Sequence, residues 1–182
     1  LLSFIHRDIK AEYIFYEINM HEEKLFQDTT VESSNPKDNN AFGGTAFLGH
    51  TDMFGEQWLY SRAEISALSE LFEKHIIEAT LHIPELSNLG APLSANRVSA
   101  RFCSFGSNWN NKITASAKMS DIKLDNGYYS IDVSDLMINK INDRLIKSEG
   151  LIINRKAGHT GFSVVSTGDS FYAPQILEIK FK

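Results

Sequence analysis

The chain has 182 residues, 42% hydrophobic and 23% charged, enough for one domain or two small ones with a core that folds without disulfides or metal. That apolar fraction excludes a disordered tail, and no apolar run is long enough to span a bilayer as a helix. A net charge of −5 and a pI near 5.7 exclude a nucleic-acid binder that relies on bulk charge. The chain opens on Leu1, not Met, and reads as an excerpt of a longer protein with neighbouring domains. Phe 12, Tyr 6 and Trp 2 stand against a single cysteine, so Cys103 has no partner for an internal disulfide and reads as a small buried hydrophobe.

Short strands are expected at Tyr13–Asn19, Leu25–Val31 and Gln57–Ile65, and Ser66–Lys74 is expected to form a turn or two of helix. The next strand is the clearest: Ile77, Ala79, Leu81 and Ile83 alternate with Glu78, Thr80 and His82, so one face is apolar. Val98, Ala100 and Phe102 alternate in the same way, and so do Tyr129, Ile131 and Val133. Asp125-Asn126-Gly127 lies between Leu124 and that last run, and Asn-Gly accepts positive φ at both central positions of a hairpin. Ser134 or Asp132 caps an expected helix over 135–146, with Leu136, Ile138, Ile141 and Leu145 on its apolar side. Strands follow at Gly150–Asn154 and Phe162–Val165, and Leu177, Ile179 and Phe181 alternate with charged residues at the C-terminus. About ten short strands and one helix predict an all-β fold, an antiparallel β-sandwich, with Tyr129, Phe102, Phe162 and Phe181 in its core.

Several segments, in order, resemble the DNRLRE domain family, also described as a carbohydrate-binding module. They are Asp28-Thr29-Thr30-Val31, Asn35-Pro36, Asn40, Gly43-Gly44 and Phe47-Leu48-Gly49. Arg62-Ala63-Glu64-Ile65-Ser66, Ala79-Thr80-Leu81, Trp109-Asn110-Asn111, Asp132-Val133-Ser134, Gly150-Leu151, Phe162-Ser163 and Pro174-Gln175-Ile176-Leu177 continue the match, which covers about residues 24–182. Ala63 and Glu64 depart from the family's large aromatic and Asp. The resemblance implies a jelly-roll-like sandwich over 24–182, with residues 1–23 as an N-terminal extension or extra strand. It also implies a bacterial or phage surface setting, extracellular or on a phage particle, with glycan binding or a structural role.

Trp58, Tyr60, Arg62 and Glu64 fall on one side of a strand, and Leu59, Ala63 and Ile65 on the other. If the second side is core, the first presents two aromatics and an arginine on an open sheet face, suited to stacking a sugar ring and pairing a carboxylate. Arg97 and Arg101 share a face of another strand and are expected to join this surface. Trp109, amid Gly106, Ser107 and asparagines, reads either as a loop ring that meets a glycan or as a packing anchor at the sandwich end. The ligand-binding set is therefore Trp58, Tyr60, Arg62, Arg97, Arg101 and Trp109. The plainer alternative is that Trp58 covers a sandwich edge and the arginines are solvated.

Loop oxygens cluster at Asp28, Asp38, Asn39 and Asn40, and again at Asp121, Asp125 and Asn126. Neither cluster has a calcium-loop signature, so a structural Ca²⁺ held by Asp28, Asp38 and Asn40 is the only ion kept in view, and no other cofactor is implied. The six histidines lack zinc spacing. No nucleophile elbow, phosphate loop or dinucleotide fingerprint is present. The expectation is a non-catalytic carbohydrate-binding module whose partner is a polysaccharide or cell-wall glycan. The alternatives are a structural or assembly domain of a surface or phage appendage protein and, third, a glycan-active catalytic domain.

Overall fold

The structure is a computed structural model that describes residues 3–7, 12–18, 26–40, 43–63, 75–98, 105–115, 117–137, 150–168, 170 and 172–181. The described strands are β1 (Ser3–Arg7), β2 (Glu12–Ile18), β3 (Phe26–Glu32), β4 (Thr45–Thr51), β5 (Gly55–Ala63), β6 (Ile76–Pro84) and β7 (Leu93–Val98). They continue with β8 (Ala117–Asp121), β9 (Lys123–Asp125), β10 (Tyr128–Asp132), β11 (Gly150–Arg155), β12 (Phe162–Ser166) and β13 (Gln175–Phe181). All pair antiparallel in two sheets. The first has six strands in the order β1-β2-β13-β6-β10-β9, and the second has β12-β4-β5-β11-β7-β8 with β3 on the remaining edge of β5. This is an all-β sandwich, as the strand periodicities predict. β1 and β2 extend the first sheet beyond β13.

Alternation decides what each strand buries. In β13, Leu177, Ile179 and Phe181 are buried between half-buried Ile176, Glu178 and Lys180. Opposite them, Ala79, Leu81 and Ile83 of β6 and Tyr129 and Ile131 of β10 complete the first sheet's inner face. Leu59, Ala95, Leu151, Ile153 and Val165 meet them from the second sheet. Each fully buried Leu or Ile contributes about 1.5–3 kcal/mol through area removed from water.

Two departures from the sequence pattern have local causes. Ile77, expected inward, is exposed, and Ile76 is buried in its place. Phe181 pairs with Ile76 while Lys180 pairs with Glu78, so a β-bulge skips Ile77 and reverses the alternation there. Phe162, expected in the core, is half-buried on the outer side of the second sheet, where its ring lies 6.1 Å from Phe47, itself 5.1 Å from Phe54. Phe162 pairs with Gly49, whose φ of +128° and close approach to the Gly161 carbonyl leave no space for a Cβ.

The hairpin at Asn126-Gly127 forms as expected, with φ of +48° and +80°, and joins β9 to β10. The expected helix begins where predicted. The Asp132 carboxylate accepts the Ser134 N–H at 2.9 Å, and the Met137 N–H reaches the Val133 carbonyl at 2.9 Å, closing a helical turn over 134–137. The rest of that helix, the turn at 66–74, and Ala100, Phe102 and Cys103 lie outside the described residues.

β5 organises the second sheet. Ser61 pairs with both Asp28 and Leu151, and Gln57 with both Glu32 and Gly49, so β3 lines one edge of β5 while β4 and then β11 share the other. Where β4 leaves, the Gln57 side chain accepts the Phe47 N–H at 2.5 Å and donates to Glu32 at 3.1 Å. Asn35 also donates to Glu32, at 2.8 Å, so this buried carboxylate is hydrogen-bonded on both oxygens.

A candidate aromatic corner on the second sheet

The split of β5 into two faces follows the sequence reading: Leu59 belongs to the main core, and Trp58, Tyr60 and Arg62 lie on the opposite side. That side is not open. Tyr60 is only 1% exposed, packed with Val31, Val98 and Ile152 in a second apolar cluster, and Trp58, Trp109 and Ile113 close over it. Arg62 is also buried. The expected platform is thus a small core roofed by the 105–115 segment, because four adjacent strands, β3, β5, β11 and β7, place apolar side chains on this face and water has to be excluded from them.

The roof is shaped locally and tied down at both ends. Asn108 caps a 3-10 turn over Trp109–Asn111 by accepting from the Asn110 and Asn111 N–H groups at 3.0 and 3.3 Å. The Asn111 side chain returns the bond by accepting the Asn108 N–H at 2.7 Å. The Tyr60 hydroxyl donates to the Ile113 carbonyl at 2.6 Å. Asn39 donates to the Ser107 carbonyl at 2.6 Å, and the Asn110 N–H reaches the Pro36 carbonyl at 3.1 Å. Burial disfavours the phenolate and pushes the Tyr60 pKa far above the ordinary tyrosine range.

The outcome is a corner made of two half-buried indoles. Trp58 and Trp109 have ring centroids 5.2 Å apart and planes inclined by 60°. The Lys112 ammonium lies 4.0 Å from the Trp109 centroid and 5.6 Å from that of Trp58, and donates to the Trp109 carbonyl at 3.3 Å. The sequence reading does not single out Lys112 or Ile113, and it marks Asn39 only as a loop oxygen beside Asp38 and Asn40. The Asn108-x-x-Asn111 spacing before a polar turn was the readable signal for the loop.

Arg97 does not join this corner. Residues paired directly across an antiparallel ladder share a face. Arg97 pairs with Leu151, which pairs with Ser61, whereas Tyr60 pairs with Ile152 and Ile152 with Asn96. Arg97 therefore lies on the opposite face of the sheet from Trp58 and Tyr60. Arg101 lies outside the described residues.

Asp28 is buried and accepts the Gly168 N–H, Asp38 is exposed in a turn closed by its N–H on the Asn35 carbonyl at 2.9 Å, and Asn40 bridges to Thr30. Among the described residues no group of three His, Cys, Asp or Glu is arranged to hold a metal.

On the first sheet, His82 joins the Ser130 hydroxyl at 2.9 Å and the Glu178 carboxylate at 2.9 Å. This has the connectivity of a hydroxyl–imidazole–carboxylate relay. Ser130 is paired on both edges, with Lys123 and with His82, so the backbone adjoining its hydroxyl is engaged in the ladders. The arrangement is a cross-strand polar link.

The fold and the corner define an antiparallel β-sandwich domain with a roofed aromatic site. No family model matches the chain, and no curated protein matches it either. The resemblance to DNRLRE domains rests on the sequence segments quoted above.

Proposed function

We propose that the chain is a non-catalytic β-sandwich module that binds a carbohydrate at the Trp58–Trp109 corner. The observation that carries this reading is the pair of half-buried indoles at 5.2 Å, inclined by 60° and held by a loop tied to β5 and to the 35–40 turn. Sugars present C–H faces to such rings, and rings already ordered in the free protein cost little entropy to use. The DNRLRE resemblance points the same way and suggests the setting, a larger bacterial or phage surface protein. The test is a glycan array followed by titration of the best-bound soluble polysaccharide. Trp58→Ala and Trp109→Ala are expected to weaken binding at least about tenfold, a typical loss for an aromatic anchor. An intact, folded module that binds nothing on the array, or variants that bind like the parent, would sink the reading.

A second reading, an assembly domain, is favoured by the Phe47–Phe54–Phe162 ring group on the outer side of the second sheet, next to Met53, which is 73% exposed. Mass measurement in solution separates the two. A stable oligomer dissociated by Phe54→Ser supports assembly, and a monomer at high concentration removes it.

A further inference from the structure

The corner is already occupied by a side chain of the chain itself. The Lys112 ammonium, the Trp58 centroid and the Trp109 centroid form a triangle with sides of 4.0, 5.2 and 5.6 Å, so the cation lies beside both rings. Its own hydrogen bond to the Trp109 carbonyl holds it there. Among the described residues no carboxylate forms an ion pair that would draw it elsewhere. A sugar ring needs a bare ring face at van der Waals distance, and an ammonium 4.0 Å from the centroid fills that space over Trp109.

We propose that Lys112 is a tethered competitor that closes the Trp58–Trp109 corner in the ligand-free chain, and that binding requires its displacement. This inference rests on the carbohydrate reading above and concerns the regulation of the same site. Binding then trades the cation–π contact for stacking, and the observed affinity is lowered by the fraction of chains in which Lys112 is in place. A corner closed in this way discriminates against weak or partial ligands. It also makes the site responsive to any change that removes the ammonium charge, such as acylation of Lys112 Nζ.

The experiment uses the whole chain, its Lys112→Ser and Lys112→Arg variants, and cello-, xylo-, manno- and laminari-hexaose as probes. Tryptophan emission gives the readout, since both tryptophans of the chain are in the corner. Lys112→Ser is expected to bind the hexaose that the parent binds about two- to fivefold more tightly, the gain from removing a partly exposed cation–π contact. Lys112→Arg, which keeps a cation that can cover indole, is expected to bind like the parent. If Lys112→Ser binds equally or more weakly, Lys112 is a bystander or a ligand contact, and the inference is overturned while the carbohydrate reading stands. If neither the parent nor Lys112→Ser binds any hexaose or any glycan on the array, the carbohydrate reading falls and the inference falls with it. Binding by Lys112→Ser alone supports both.

Discussion

The bond between Tyr60 and Ile113 is the most direct test of how the roof is held. Tyr60→Phe keeps the ring and its burial in the second cluster and removes only the hydroxyl that reaches the Ile113 carbonyl at 2.6 Å. A typical net loss for one hydrogen bond is about 0.5–1.5 kcal/mol, rising to about 3 kcal/mol if the abandoned partner stays dry. Ile113 is half-buried, so water can reach part of its surroundings, and we expect about 1 kcal/mol. For a chain of this length that corresponds to a fall of about 2–4 °C in Tm. Urea unfolding is expected to show a lower midpoint at unchanged slope, because the surface exposed on unfolding is the same. Tyr60→Ala also empties the cluster and is expected to cost about 3–5 kcal/mol. The emission of Trp58 and Trp109 is expected to shift to the red in Tyr60→Phe as the roof loosens. A Tyr60→Phe variant with the parent's midpoint and emission would refute the latch. A loss as large as that of Tyr60→Ala would show that the hydroxyl does more than hold the loop.

Tyrosine burial and two glycine positions make further expectations testable. Burial raises the pKa of both Tyr60 and Tyr129; for Tyr129 the donor–acceptor contact with Ser163 opposes this in part, and nearby Glu85 adds to it. A tyrosine held neutral in the fold lends stability that is complete below the unfolded value near pH 10. That stability is lost as pH rises above it, because the unfolded chain releases the proton first. Absorbance titration is expected to show Tyr60 and Tyr129 ionising only with unfolding, and their full ionisation in the intact fold near pH 10 would contradict the burial. Gly49→Ala is expected to cost about 3 kcal/mol or more in thermal unfolding, because a Cβ there collides with the Gly161 carbonyl and meets the Phe162 Cα at 2.9 Å. Gly127→Ala, at φ +80° with nothing within 4 Å, is expected to cost only about 1–2 kcal/mol from backbone conformation, so equal losses would refute the steric account.

Much of the sandwich was legible because strand alternation is a local property. Leu177, Ile179 and Phe181 announce a buried face without reference to any partner, and Asn126-Gly127 announces its own turn. The same local rule divided β5 correctly, with Leu59 on one side and Trp58, Tyr60 and Arg62 on the other. Strands with weak patterns, β1, β4 and β8, give no sequence signal, and β7 runs upstream of the expected Val98–Phe102 strand, sharing only Val98 with it, since such strands depend on a neighbour's edge. Ile77 was misassigned because a bulge is set by pairing with β13.

The corner shows where local reading stops. Polar and apolar order along β5 reveals which residues share a face, and nothing in it reveals whether that face meets water or a loop. Here the answer lies some fifty residues downstream, in the segment that places Ile113 on Tyr60 and Lys112 beside two indoles. Arg97 likewise kept its place on a strand face but lost its expected company, because register across β11 and β5 puts it on the other side of the sheet. Periodicity is encoded by neighbours in the chain and survives as a one-dimensional signal. Covering and register arise from contacts between distant segments, which exist only once the two sheets have closed.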